Sequence, residues 1–260
     1  MEGQQKASID IGDDLRQAVI VGRYEILKFF HGKKIFIFGG LILALYALVT
    51  WIMFAFADQD MTVRGATQSY ISFLQLLLLI GATLFSSVTI VSEFEDRTAL
   101  TLFTKPVRKY SIVIGKFCAA YVLNLGIILL YFVLSAVAVA IKTGGVASEM
   151  AASFGYCALY AFSLTGIALF FSALMKKSSS ASILTFIFIL MAPMVIAMVA
   201  VLAMDIDPSE MWYVLDVASA AVVNCFDGPI ANPVRDSLVM VLWGLVPAVA
   251  GYFLFRRREV

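Results

Sequence analysis

Six long apolar runs constrain the fold of this chain more than any other feature of its sequence. They cover about residues 34–56, 69–91, 112–141, 150–174, 180–204 and 237–255. A helix needs roughly 20 mostly apolar residues to cross the hydrocarbon part of a bilayer. Hydrophobic residues make up 62% of the chain, against about 45–50% in soluble domains. The sequence therefore predicts an all-α integral membrane protein with six transmembrane helices.

The basic residues predict the orientation of these helices in the membrane. An even number of spans places both termini on one face, and 16 of the 19 Lys and Arg residues lie on that face. Only Arg64, Lys142 and Arg235 lie on the other face, whereas the acidic residues divide nine and nine. Cytoplasmic loops of membrane proteins carry an excess of Lys and Arg. We therefore expect both termini to be cytoplasmic.

The chain before the first apolar run predicts a separate cytoplasmic arm, residues 1–33, attached to a six-helix domain, residues 34–260. Within the arm, apolar residues recur at helical spacing, which predicts an N-terminal amphipathic helix at the membrane interface. The residues of this apolar face are Leu15, Ala18, Val19, Gly22, Ile26, Phe29 and Phe30. Such a helix either anchors the chain on the membrane or contacts a partner.

The longest connection on the outer face, about residues 205–236, holds six acidic residues and precedes the last span. Its apolar part, residues 211–223, is too short to cross a bilayer, so we expect a re-entrant outer segment. Four of the acidic residues could instead form the catalytic carboxylates of a membrane-bound hydrolase: Asp207, Glu210, Asp216 and Asp227. No serine, cysteine or histidine constellation accompanies them in the sequence.

The sequence lacks the common signatures of an independent pump. It has no GxxxxGK[ST] phosphate loop and a single histidine, His31, so we expect no catalytic residue, no cofactor and no metal site in this chain. The apolar runs hold almost no charge, although charged residues at mid-membrane depth mark most ion-coupled carriers. The polar residues at depth are mild, and they either bond helices to one another or line a transport pathway. These pathway candidates are Gln75, Asn124, Thr165 and Thr185.

One cytoplasmic stretch, "VSEFEDRTALTLFTKPVRKY" at residues 91–110, concentrates charges of both signs. Ser92 and Glu95 fit a capping box that begins a helix, and Pro106 would end that helix. Between them an apolar stripe has helical spacing: Ala99, Leu100, Leu102 and Phe103. The stretch therefore predicts a short amphipathic helix over about residues 93–105. It lies on the lipid surface or docks in a groove of a soluble partner.

The longer segment "EFEDRTALTLFTKPVRKYSIVIGKF", residues 93–117, resembles the signature of type-2 ABC transporter permeases. The matching positions are Glu93, Glu95, Arg97, Thr98, Leu100, Leu102, Pro106, Gly115 and Lys116. Many relatives have a glycine between the arginine and the threonine, whereas Arg97 and Thr98 are adjacent here. The six spans, the amphipathic arm and the long outer connection also agree with this family in outline.

The resemblance implies a permease subunit of an exporter in the plasma membrane of a prokaryote. Its partners would be two copies of an ABC ATPase, which bind ATP and magnesium, and a second permease, identical or homologous. No nucleic-acid partner is expected. The helix at 93–105 would be the coupling helix, with these contact residues: Glu93, Glu95, Asp96, Arg97, Thr98, Leu100, Phe103, Lys105, Pro106 and Arg108. The alternatives are an ATP-independent channel, a subunit of another membrane complex and, less favoured, the hydrolase.

Overall fold

Helices account for nearly all of the structure. A computed structural model of the protein describes residues 11–55, 61–95, 108–204 and 210–258, and no strand occurs within these ranges. The helices, in chain order, are α1 Ile11–His31, α2 Lys33–Ala55, α3 Val63–Leu84, α4 Val91–Glu95, α5 Lys109–Thr143, α6 Met150–Leu174, α7 Ser178–Met204, α8 Leu215–Ser219, α9 Ala221–Asn224 and α10 Pro233–Arg257.

Six helical segments in the described ranges are long and apolar enough to cross a membrane. They are α2, the continuous stretch Val63–Glu95, α5, α6, α7 and α10. The second of these contains α3, a 3-10 turn at Ser86–Val88 and α4. The prediction of an all-α membrane protein with six spans is therefore confirmed.

Several spans extend beyond the apolar runs that predict them. The second begins at Val63 rather than near residue 69, because the Thr62 hydroxyl caps the helix by accepting a hydrogen bond from Gly65 N at 3.2 Å. The third continues to Thr143, where Gly144 adopts the left-handed conformation (φ 75°) and ends the helix. Polar caps lie outside the hydrocarbon region, so hydropathy alone does not reveal them.

Close contact between small residues holds the centre of the bundle together. Helix α6 packs most extensively against α10. Where the two cross, a Cβ atom added to Gly166 would lie only 2.0 Å from the carbonyl oxygen of Gly244. Apolar burial from water does not drive helix association inside a bilayer, so close packing of small residues and interhelical hydrogen bonds have to do so. Helices α2 and α7 are the least buried spans.

The outer segment before α10 folds back against the bundle instead of crossing it. Helices α8 and α9 bury Ala218 and Val222 completely. Gln75 Nε2 donates to the carbonyl of Ser219 at 3.0 Å, and Ser153 Oγ donates to the carbonyl of Val222 at 2.7 Å. This arrangement agrees with the predicted re-entrant segment.

Candidate coupling site

The predicted coupling helix lies only partly within the described residues. Glu93 and Glu95 belong to α4, and Arg108 immediately precedes α5. The other predicted contact residues fall in the range 96–107, outside the described part of the chain. The site is therefore built from the two ends of this segment and from the helices that contact them.

A buried ion cluster holds the first end of the segment. The Nζ atom of Lys116, whose side chain is 3% exposed, donates to Glu25 Oε2 at 2.8 Å and to Glu93 Oε1 at 2.9 Å. It also donates to the carbonyl of Thr89 at 2.8 Å. Lys28 lies 3.6 Å from the same Glu93 oxygen. The cluster thus joins the N-terminal helix α1, the end of the second span and the start of the third.

These contacts are what allow charge to be buried at this position. An ammonium group removed from water costs several kcal/mol unless carboxylates and carbonyls replace its hydration. Lys116 has three such acceptors, one from α1 and two from the end of the second span. Glu25 Oε1 is buried without a hydrogen-bond partner in the described structure. Losing Lys116 would leave the Glu25 carboxylate as an uncompensated buried charge.

A second polar cluster holds the other end of the segment. Arg108 Nη1 donates to Asp14 Oδ2 at 2.9 Å and to the Tyr110 hydroxyl, also at 2.9 Å. The Tyr110 hydroxyl in turn donates to Asp14. The hydrogen bond with Tyr110, followed by the charge of Asp14, raises the pKa of Arg108. Helix α1 therefore contacts both ends of the segment between α4 and α5.

Helical geometry explains how one helix makes both contacts. Asp14 and Glu25 are eleven residues apart, which is three turns of an α-helix, so they lie on the same face about 16 Å apart. Between them Gly22 packs against Gly115 of α5, where an added Cβ on Gly115 would lie 2.5 Å from the carbonyl of Ala18. These two glycines let α1 approach α5 closely enough for its acidic side chains to reach their partners.

The buried face of α1 differs from the apolar face that the sequence predicts. Its buried residues are Asp14, Ala18, Gly22, Glu25 and Phe29. Leu15, Val19 and Phe30 of the predicted face are 61%, 70% and 53% exposed. The helix is amphipathic as predicted, but part of its apolar face points away from the bundle, as expected of a helix at a membrane interface.

The last helix and the α6–α7 connection support the segment from the opposite side. Glu95 Oε2 accepts a hydrogen bond from Ser178 N, at the start of α7, at 2.8 Å. The Arg258 guanidinium lies over the Phe94 ring at 4.9 Å and donates to the carbonyl of Met175. Phe94 also meets Phe255 edge to face at 6.1 Å.

The predicted helix start at Ser92 is not observed. Helix α4 begins at Val91, so Ser92 lies inside it, and its hydroxyl accepts a hydrogen bond from Lys28 Nζ at 3.1 Å. The capping-box pattern is present in the sequence, but these side chains serve contacts with α1 and α7. Local spacing does not reveal such long-range partners.

The four pathway candidates do not form one site. Asn124 Nδ2 donates to Thr165 Oγ1 at 3.2 Å and lies 3.4 Å from Ser86 Oγ, with the Asn124 side chain 1% exposed. Thr185 donates to the carbonyl of Ala181 within its own helix. Gln75 is half-buried and reaches the re-entrant segment. In a single chain Gln75, Asn124 and Thr165 therefore bond helices to one another, whereas Thr185 bonds only within α7.

The acidic residues of the outer face do not converge on one another. Glu210, Asp216 and Asp227 are exposed, and Asp227 Oδ2 accepts from Gln68 Nε2 at 2.9 Å. Asp207 lies outside the described residues. No group of three or more His, Cys, Asp or Glu residues suited to a metal ion occurs in the described ranges.

Comparison with known families agrees with this architecture. Six helices long and apolar enough to span a membrane define an all-α integral membrane protein. The family model described as "ABC-2 family transporter protein" matches residues 51–218. The chain therefore belongs to the ABC-2 transporter family and is a permease component of an ABC transporter. Membership implies association with an ATPase subunit and with a membrane. No curated protein matches the chain.

The ion cluster gives a prediction about stability. Replacing Lys116 by Met should leave the buried carboxylate of Glu25 without its partner cation. Loss of one partner from a buried ion pair costs about 3–5 kcal/mol. The midpoint temperature of unfolding in detergent should fall clearly below that of the parent. Adding Glu25→Gln to this variant should recover part of the loss, because one unpaired carboxylate is removed.

Lys177→Met is the matched control, since Lys177 is an exposed base on the same membrane face. It should unfold like the parent. If Lys116→Met also unfolds like the parent, or if Glu25→Gln lowers its stability further, the cluster does not carry the energy assigned to it.

Proposed function

We propose that this chain is the transmembrane subunit of an ATP-driven exporter that works with a separate ATPase. Two ATPase copies, which bind ATP and magnesium, would serve a pair of permeases, identical or homologous. The observation that carries the proposal is that both sides of the 96–107 segment are tied to helix α1. Arg108 pairs with Asp14, and Glu93 lies 3.6 Å from Lys28 and shares Lys116 with Glu25. This segment connects two spans on the membrane face that carries most of the basic residues. Because it is held at both ends, it is suited to receive force from a soluble partner.

The proposed coupling mechanism depends on rigid contacts between this segment and the membrane spans. A push on a segment moves the spans only if the segment cannot slide relative to them, because coupling travels through packed and bonded elements. Glu93 is bonded to Lys116 of α5, and Glu95 is bonded to the first residue of α7. A displacement of the segment would therefore reach the third and fifth spans together, and α1 would follow.

The roles assigned to the segment remain part of the proposal. Glu93, Glu95 and Arg108 would anchor its ends, while Leu100 and Phe103 would enter a cleft of the ATPase. The remaining contact residues would shape and orient the helix or pair with charges of the ATPase: Asp96, Arg97, Thr98, Lys105 and Pro106.

The direct test replaces Leu100 and Phe103 together by Asp. An unpaired charge placed in a buried contact costs several kcal/mol, so affinity for the ATPase should fall by orders of magnitude. Each variant is reconstituted with the ATPase, and binding, ATP hydrolysis and transport are measured separately. Thr101→Asp is the control, because it adds an acid to the same segment away from the helical positions of Leu100 and Phe103.

Two results would contradict this proposal. If the double variant binds the ATPase and transports like the parent, the apolar stripe does not form the contact with the ATPase. If no ATPase associates with the parent chain at all, the ATP-independent channel or complex subunit becomes the better interpretation.

We further propose that the substrate route runs between two permeases and is bordered by mild polar groups. The scarcity of charge in the spans supports this route, since uphill transport then needs energy from outside the chain. Gln75, Asn124 and Thr165 would act on the route chiefly by fixing the helices that border it, because their hydrogen bonds join different elements of one chain. Thr185, whose hydroxyl bonds only within its own helix, would border the route without joining helices.

The proposed orientation, with both termini in the cytoplasm of a prokaryotic cell, rests on the distribution of basic residues. Single-cysteine variants in a background without native cysteines test it. Ser148→Cys should react from outside the cell with an impermeant thiol reagent, whereas Ser179→Cys should react only after the membrane is opened. Both positions are exposed, so access through the membrane, rather than burial, decides the result. The reverse pattern would overturn the orientation and the coupling assignment with it.

A further inference from the structure

An apolar groove lies between α5 and α10 on the membrane-facing side of the bundle. It has a volume of about 350 Å³, within the range of about 300–1,000 Å³ that is usual for small-molecule sites. Phe162 and Leu169 of α6 lie between the two walls. The walls are Val113, Ile114 and Phe117 of α5 and Leu245, Ala248 and Val249 of α10.

The groove is short enough to lie within one leaflet of a bilayer. On α5 it extends from Tyr110 to Phe117, and on α10 from Tyr252 to Leu245. Seven residues of an α-helix rise about 10 Å, whereas half of a hydrocarbon core is about 15 Å. The groove therefore opens to the lipid of one leaflet and does not cross the membrane.

Basic residues stand at the end of the groove that lies nearest the membrane surface. Lys109 precedes Tyr110, and Arg256 follows Tyr252 by one helical turn on the same face of α10. Lys109 Nζ donates to the carbonyl of Arg256 at 3.3 Å, so the two residues close this end together. The Arg256 side chain is exposed.

We propose that this groove binds an anionic phospholipid of the cytoplasmic leaflet. One acyl chain would lie against the apolar walls, and the phosphate of the headgroup would be held by Lys109 and Arg256. Basic pockets between membrane helices on the cytoplasmic side are suited to acidic headgroups. The inference rests on the proposed orientation, in which this basic end faces the cytoplasm.

Two features favour a lipid over a second copy of the chain. A helix of another subunit would cross both leaflets, whereas the groove spans one. A two-fold contact centred on this groove would also bring the basic end of one copy close to that of the other, which is unfavourable. A lipid phosphate complements the same charges.

Native mass spectrometry of the purified full chain tests the proposal. Phosphatidylglycerol and phosphatidylcholine with identical acyl chains are added separately. We expect one phosphatidylglycerol to bind per chain, at least about tenfold more tightly than phosphatidylcholine. Lys109→Ala combined with Arg256→Ala should remove this preference. Lys176→Ala combined with Lys177→Ala removes two exposed bases that do not line the groove, and it should preserve the preference.

A second variant tests the apolar part of the groove. Ala248→Trp should fill it and weaken binding of both lipids. The proposal is overturned if the parent binds the two lipids equally, if the Lys109 and Arg256 variant keeps its preference, or if Ala248→Trp binds lipid like the parent. A shift from dimer to monomer in Ala248→Trp, with lipid binding unchanged, would instead identify an interface between copies and would also overturn it.

The experiment is independent of the coupling proposal, because the ATPase is absent. Loss of ATPase coupling in the Leu100 and Phe103 variant would leave the lipid measurement unchanged. Failure of the lipid measurement would leave the coupling proposal as it stands.

Discussion

The buried charge of Lys116 needs neutralising partners. The helices at the membrane face that carries most of the basic residues are arranged so that they supply these partners. The Lys116 ammonium group is shielded from solvent at the start of the third span. Water cannot hydrate it there, so Glu25, Glu93 and the carbonyl of Thr89 replace the hydration shell. These acceptors come from α1 and from the end of the second span, and both must therefore meet α5 at Lys116. A single buried charge thus determines where α1, α4 and α5 lie relative to one another.

Small residues make this meeting possible. Gly22 and Gly115 bring α1 against α5, and Gly166 and Gly244 do the same for α6 and α10. In a bilayer the lipid is as apolar as the helix surface, so stability depends on close backbone contact and on interhelical hydrogen bonds. Small residues allow the helices to approach one another, and the polar contacts then fix their relative orientation. The same logic applies on the outer face, where Gln75 and Ser153 hold the re-entrant segment.

The sequence predicts the fold well because bilayer thickness imposes a length on every span. It predicts the contacts of the candidate coupling site only in part. Glu93 and Lys116 belong to one contiguous motif and can be recognised from it. Asp14 and Glu25 cannot, because Glu25 lies 91 residues from its partner Lys116 and nothing in the local spacing marks either acid. The sequence does not reveal the buried face of α1 for a related physical reason. At a membrane interface the apolar face of a helix meets lipid, so periodicity does not reveal which face packs on protein.

The central claim is that α1 fixes both ends of the segment between the second and third spans. Hydrogen–deuterium exchange of the full chain in lipid nanodiscs measures this directly. The account predicts that Asp14→Asn combined with Glu25→Gln increases exchange in peptides covering residues 86–95 and in peptides covering residues 108–118. Asp236→Asn, which removes an acid paired with Arg235 on the outer face, should change neither. Unchanged exchange at both ends of the segment in the double variant would show that α1 merely rests against the bundle, and would contradict the account.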